Sequence, residues 1–259
     1  MKKLVLLLFL LPLVTFSANA QDDNQINSID DFITKLEELR TISQKMGSYY
    51  ILTNLYPTND SYKTKAKTNV EEFNNLLVKL IDKAPSEELS IELQKLNLTW
   101  LYVNKVLKTK YDRMEAAKVL DKLEEMQLEA KDIIDKTLQL TKKGRAKILK
   151  VAAETRFYVQ RMNLYYMADK AKIINTNIEK RYNESISKIK ENLSYLKNSP
   201  YNDESTLMVL DMIISKFKTI NKSSLKNSKY SPLTANMVAE GFDEDLKLLI
   251  RVYKERIKG

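Results

Sequence analysis

The chain has 259 residues, with 43 Lys and Arg against 34 Asp and Glu, a formal net charge of +9, and neither histidine nor cysteine. Lacking those two residue types, it can have no imidazole base, no His-based triad, no thiolate nucleophile, no imidazole or thiolate metal site and no disulfide staple. Only 4 Gly and 5 Pro occur, and no stretch shows sustained alternation with β-branched enrichment, so the composition indicates an all-α protein.

Residues 1–20 have the layout of a secretory signal peptide. Lys2 and Lys3 form a basic start, Leu4 to Phe16 a short apolar run interrupted by Pro12, and Ala18-Asn19-Ala20 a small-x-small cleavage site. The run is shorter than the ~20 apolar residues a spanning helix needs. Cleavage near Ala20 is expected to release a soluble protein, periplasmic in a bacterial cell. Losing Lys2 and Lys3 would lower the net charge of +9 by two.

The next helix starts after Asn27-Ser28, with Asp30 and Asp31 in its first turn, where carboxylates favour the helix dipole, and runs to about Tyr56 before Pro57. Helices follow over about 61–83, ending before Pro85, then from the Ser86 cap to about Lys110, and over about 113–141. Lys142-Lys143-Gly144 is a Gly-bearing break. Four further helices are predicted over about 145–175, 177–196, 203–221 and 232–257, with loops at 197–202 and 222–231.

These eight helices read as one unit written twice. Arg40-Thr-Ile-Ser-Gln44-Lys45-Met46-Gly-Ser-Tyr49-Tyr50-Ile51 returns 116 residues later as Arg156-Phe-Tyr-Val-Gln160-Arg161-Met162-Asn-Leu-Tyr165-Tyr166-Met167. Trp100 corresponds to Phe217 at an offset of 117, and Asp121 to Leu123 resembles Glu244 to Leu246 at an offset of 123. Internal repetition sets the architecture. The reading is two tandem up-down four-helix bundles, residues 21–143 and 144–259. A side-by-side pair joined through the first helix of each copy and an end-to-end pair both satisfy the pattern. In the side-by-side case the two first helices run parallel, which brings Arg40 and Arg156 to equal heights.

Core pressure alone does not ask for Arg and Gln four residues apart, twice. The first helix carries a bundle seam of Leu36, Leu39, Ser43, Met46 and Tyr50. Beside it runs Ile33, Glu37, Arg40, Gln44, Gly47, Ile51, and in the second copy Leu149, Ala153, Arg156, Gln160, Asn163, Met167. A solvated face would carry Lys and Glu there instead. Both guanidiniums are therefore expected to pack against something and to need partners. Those partners are either internal carboxylates, such as Glu37 or Glu154, or an anionic ligand. Of the Tyr49-Tyr50 and Tyr165-Tyr166 pairs, one ring each is expected in the core and one at its rim. Trp100 and Phe217 are expected in the core.

The segment Arg40-Thr-Ile-Ser43-Gln44-Lys45-Met46 resembles the R-M-L-S-Q-R-M signature of PilJ-type sensory domains. These are the extracytoplasmic helical bundles of type IV pilus chemotaxis transducers, related to the NarX-like nitrate/nitrite sensors. Arg156 to Met162 is a second, weaker match. The resemblance implies a tandem, single-chain version of a sensory dimer, with Arg40 and Arg156 at the anion-contacting position. It departs from the family at Glu37, where a glycine allows close helix approach, and it lacks the family's membrane helices and signalling domains.

Two functions follow as expectations. The first is an exported, non-enzymatic sensory module that holds a small anion or polar metabolite between its copies and relays binding to a membrane partner. In it Arg40 and Arg156 form the clamp, Gln44 and Gln160 orient them, and Lys45 and Arg161 are secondary. The second is a non-binding extracytoplasmic scaffold or assembly protein with internally saturated arginines. No cofactor, metal or catalytic residue is marked. Nucleic acid is excluded as a partner by the scattered lysines and the lack of a stacking platform. Oligomeric state is left open.

Overall fold

The computed structural model describes residues 25–109, 111–141, 143–220 and 230–258. The expected leader, Lys142 and nearly all of the 222–231 loop lie outside the described residues. Among the described residues the fold is all-α, with eight helices and no strand. They are α1 (Ile29–Leu55), α2 (Asp60–Asp82), α3 (Glu87–Leu107), α4 (Arg113–Leu138), α5 (Lys143–Lys170), α6 (Ile178–Lys197), α7 (Glu204–Ile220) and α8 (Pro232–Lys258).

Short polar side chains start most of these helices by accepting from otherwise unpaired backbone N–H groups. Ser28 accepts from Asp31 N at 3.1 Å, Asn59 from Ser61 N, Ser86 from Leu89 N, and Asp112 from both Met114 N and Glu115 N. Asp203 and Ser231 do the same for α7 and α8.

α5 ends at Lys170, five residues before the expected Asn175. The chain turns through Lys172, whose φ is +56°, while Ile173 N donates to Ala168 O and Lys172 N to Asp169 O. This pair of bonds is a Schellman stop, normally built on glycine because a Cβ is strained at positive φ. Lys172→Gly is therefore expected to raise unfolding stability by about 0.5–1 kcal/mol, measured by urea denaturation.

Two helices form the centre. α1 packs on α2, α4 and α5, and α5 packs on α6, α8 and α1, with α1 against α5 the most extensive contact. α3 closes the first group by touching α2 and α4, and α7 the second by touching α6 and α8. A single apolar cluster runs through both groups. α1 and α5 lie side by side and parallel. Asp30 faces Arg145, the Arg40 guanidinium lies over the Phe157 ring at 3.9 Å, and Gly47 faces Leu164, so the contacts climb both helices in one direction. α4 stops at Leu138 and does not continue into α5, so the end-to-end arrangement is not adopted.

Gly47 sets the spacing of α1 at this contact. A Cβ there would come within 2.8 Å of the Leu123 and Leu164 side chains. The central position of α1 and α5 also explains the tyrosines. All four rings, Tyr49, Tyr50, Tyr165 and Tyr166, are buried rather than one of each pair lying at a rim, because these helices have neighbours on nearly every side. Trp100 is fully buried against Phe73, with ring centroids 4.4 Å apart, and donates to Asn74 Oδ1 at 2.7 Å; Phe217 is buried too.

Candidate functional site

The six polar residues singled out in the sequence all lie on α1 and α5, and five of them are buried; the exception, Lys45, is partly exposed. Arg40 donates from Nη1 to both Glu37 carboxylate oxygens, at 3.0 and 2.8 Å, and from Nη2 to Gln127 Oε1 at 2.9 Å. Arg156 donates from Nε to Asp243 Oδ1 at 2.8 Å and from Nη2 to Oδ2 at 3.4 Å. The two guanidiniums thus turn to different helices, Arg40 onto α4 and Arg156 onto α8. Gln44 donates to Ser43 Oγ and Gln160 to the Ala239 carbonyl. Neither glutamine is directed at its arginine in these bonds.

The remaining two cations cross between the groups. Lys45 on α1 donates to Asp243 Oδ2 on α8 at 2.6 Å. Arg161 on α5 grips Glu124 on α4 with two bonds, Nε to Oε1 at 2.7 Å and Nη2 to Oε2 at 3.0 Å, and also reaches Glu184 and Ser185 on α6. Tyr165 donates to the same Glu124 at 2.7 Å, and Gln127 donates to its other oxygen at 3.2 Å. Gln127 therefore links the Arg40 pair to the Arg161 pair in one network. The second network centres on Asp243, which holds Arg156 and Lys45, with Lys247 3.5 Å away.

Glu124 and Asp243 are the residues the sequence did not single out. They occupy like places, each taking the K/R of the opposite motif, at an offset of 119. The caps Asp112 and Ser231 share that offset. This register differs by one helical turn from the 123 suggested by residue similarity. The available signal was a carboxylate inside an apolar stripe: Glu124 beside Leu120 and Leu123, and Asp243 among Ala239, Phe242 and Leu246.

Burial opposes ionisation of Asp243, but Arg156 and Lys45 outweigh it and hold the carboxyl well below the usual carboxylate range. Glu124 is likewise pushed up by burial and pulled below its ordinary value by Arg161, Tyr165 and Arg181. Glu37 goes the other way. Complete burial, reinforced by the nearby Glu154, pushes its pKa from 4.5 to about 7 against the pull of Arg40 and Lys150. A folded pKa above the unfolded one means that the native state holds more protons between these values. Glu37 therefore stabilises most below pH 4.5 and loses that contribution as pH rises to about 7. The stability difference between the wild type and Glu37→Gln is expected to change across this window by on the order of 2–3 kcal/mol and to be flat above it, read from urea melts at pH 4.5, 6, 7 and 8.

No described helix is long and apolar enough to cross a membrane, and no cluster of three or more carboxylates suited to a metal ion occurs among the described residues. Comparison with protein-family models, curated proteins and solved structures finds no match for this chain.

Proposed function

We propose that this chain is a non-catalytic, extracytoplasmic helical scaffold or assembly module, built from two tandem four-helix units clasped into one rigid body. The observation that carries this reading is the reciprocal crossing of ion pairs onto buried carboxylates: Lys45 of the first unit ends on Asp243 of the second, and Arg161 of the second on Glu124 of the first. A receptor for an anion needs guanidinium donors that are free to accept it. Here the forks of Arg156 and Arg161 are spent on carboxylates, and that of Arg40 on a carboxylate and an amide. A duplication would account for the matched motifs, and the PilJ-type resemblance would make the chain a single-chain counterpart of a sensory dimer. Export, through the leader-like residues 1–20, would place the module outside the cytoplasm, where a membrane-bound partner could use its surface.

A second reading keeps the sensory function. Arg40 Nε, Gln44 Oε1 and Ser48 Oγ are buried without a hydrogen-bond partner, at four-residue spacing on one face of α1. A small polar metabolite with both a donor and an acceptor lodged there would satisfy all three, whereas a small anion would accept from Arg40 Nε and Ser48 Oγ only.

Thermal unfolding of the leader-free chain with nitrate, nitrite, phosphate, acetate and dicarboxylates at constant ionic strength separates the two. The scaffold reading expects no selective shift. A selective ligand at ~100 times its dissociation constant would add about 2.7 kcal/mol. Such a gain, lost in Arg40→Lys, would overturn the scaffold reading in favour of the sensor.

A further inference from the structure

Between α5, α6, α7 and α8 lies a cavity of about 540 Å³, counted with its mouth, and walled by Met162, Tyr166, Tyr182, Phe217 and Phe242. Its origin is visible in paired positions, an equivalence that rests on the two-unit reading. Where the first unit carries Trp100 on α3 and Leu120 on α4, the second carries Phe217 on α7 and Ala239 on α8. Trp100 and Leu120 are both buried, whereas Phe217 and Ala239 line the open space.

The lining selects a ligand class. No charged side chain contributes to the wall, so an ionised ligand would lose its hydration without a counter-charge. The rings of Tyr166, Tyr182, Phe217 and Phe242 offer faces and edges to another ring. Besides the hydroxyls of Tyr166, Tyr182 and Tyr230, one amide interrupts the apolar wall. Asn163 is 2% exposed, its Nδ2 donates to Asn236 Oδ1 at 3.0 Å, and its own Oδ1 is buried without a partner. An unpaired buried acceptor is destabilising, and a donating ligand would relieve it. In the first unit the matching residue is Gly47, and Leu123 and Leu164 close over it.

We infer that this cavity binds a small, neutral, single-ring aromatic molecule that donates one hydrogen bond to Asn163 Oδ1. Burial of the ring between the aromatic walls supplies affinity, and the amide supplies selectivity for a donor.

Phenol and toluene are the probes, matched in size and differing in the donor. Each is titrated into the full leader-free chain carrying 13C-methyl methionine, with the Met162 methyl as reporter. Saturable shifts with phenol are expected, with toluene at least about tenfold weaker. Ala239→Leu, which restores the residue of the first unit, is expected to abolish binding while keeping a native methionine spectrum. Phe217→Trp provides the same test should that variant not fold. A linear, non-saturating response to phenol, or unchanged phenol binding in the filled variant, would overturn the site; equal affinities for the two probes would overturn the role of Asn163. None of these readouts depends on anions or on the ion-pair clasp, so failure of the cavity and failure of the scaffold reading are distinguishable.

Discussion

Asp243→Ala is expected to lower unfolding stability by about 3–5 kcal/mol, measured by urea denaturation at neutral pH. Asp243 is fully buried, and three cations converge on it: Arg156, Lys45 and Lys247. Removing the carboxylate leaves the Arg156 guanidinium, itself 5% exposed, without its counter-charge in a medium that solvates ions poorly. The cost is that of stranding the charges, which exceeds the worth of the pair. The acid limb gives a second reading of the same residue. Because its folded pKa is depressed, the stabilisation is complete above the ordinary value of 3.8 and disappears as pH falls toward the folded one. The variant should therefore show a shallower loss of stability below about pH 4 than the wild type.

The second large effect lies across the other crossing. Arg161→Ala is expected to cost about 3–5 kcal/mol, because Glu124, 7% exposed, keeps only the Tyr165 hydroxyl, the Gln127 amide and a distant Arg181. Replacing both partners, as Arg161→Met with Glu124→Met, is expected to return the protein to within about 2 kcal/mol of wild type, since paired buried charges are often exchangeable for apolar groups of similar volume. A double-mutant cycle in urea checks this. A double variant as unstable as the sum of the singles would mean that Arg161 and Glu124 act independently.

How legible the protein was depends on the range over which each signal acts. Helix starts were readable because caps are local: Ser28 and Ser86 lie next to the groups they satisfy. Stops at Pro57 and Pro85 were readable for the same reason. The end of α5 was not, because the stop is built on Lys172, a residue type that gives no hint of positive φ. Burial of Arg40, Gln44, Arg156 and Gln160 followed from the apolar company they keep on one helix face. Their partners did not follow. Arg156 and Asp243 are 87 residues apart, Arg161 and Glu124 37, and nothing local relates them. Of the carboxylates named as candidate partners, Glu37 does meet Arg40, while Glu154 pairs with Lys150 and Asn192 instead. The cavity was illegible for a further reason: its walls come from α5, α6, α7 and α8, and no local pattern relates them.

In the proposed scaffold, charges crossing between α1–α4 and α5–α8 join both units into one cooperative body. Differential scanning calorimetry of the full leader-free chain tests it most directly. One transition is expected, with calorimetric and van't Hoff enthalpies that agree. Two resolved transitions, or a calorimetric enthalpy about twice the van't Hoff value, would mean that the units melt independently and that the crossing pairs do not couple them.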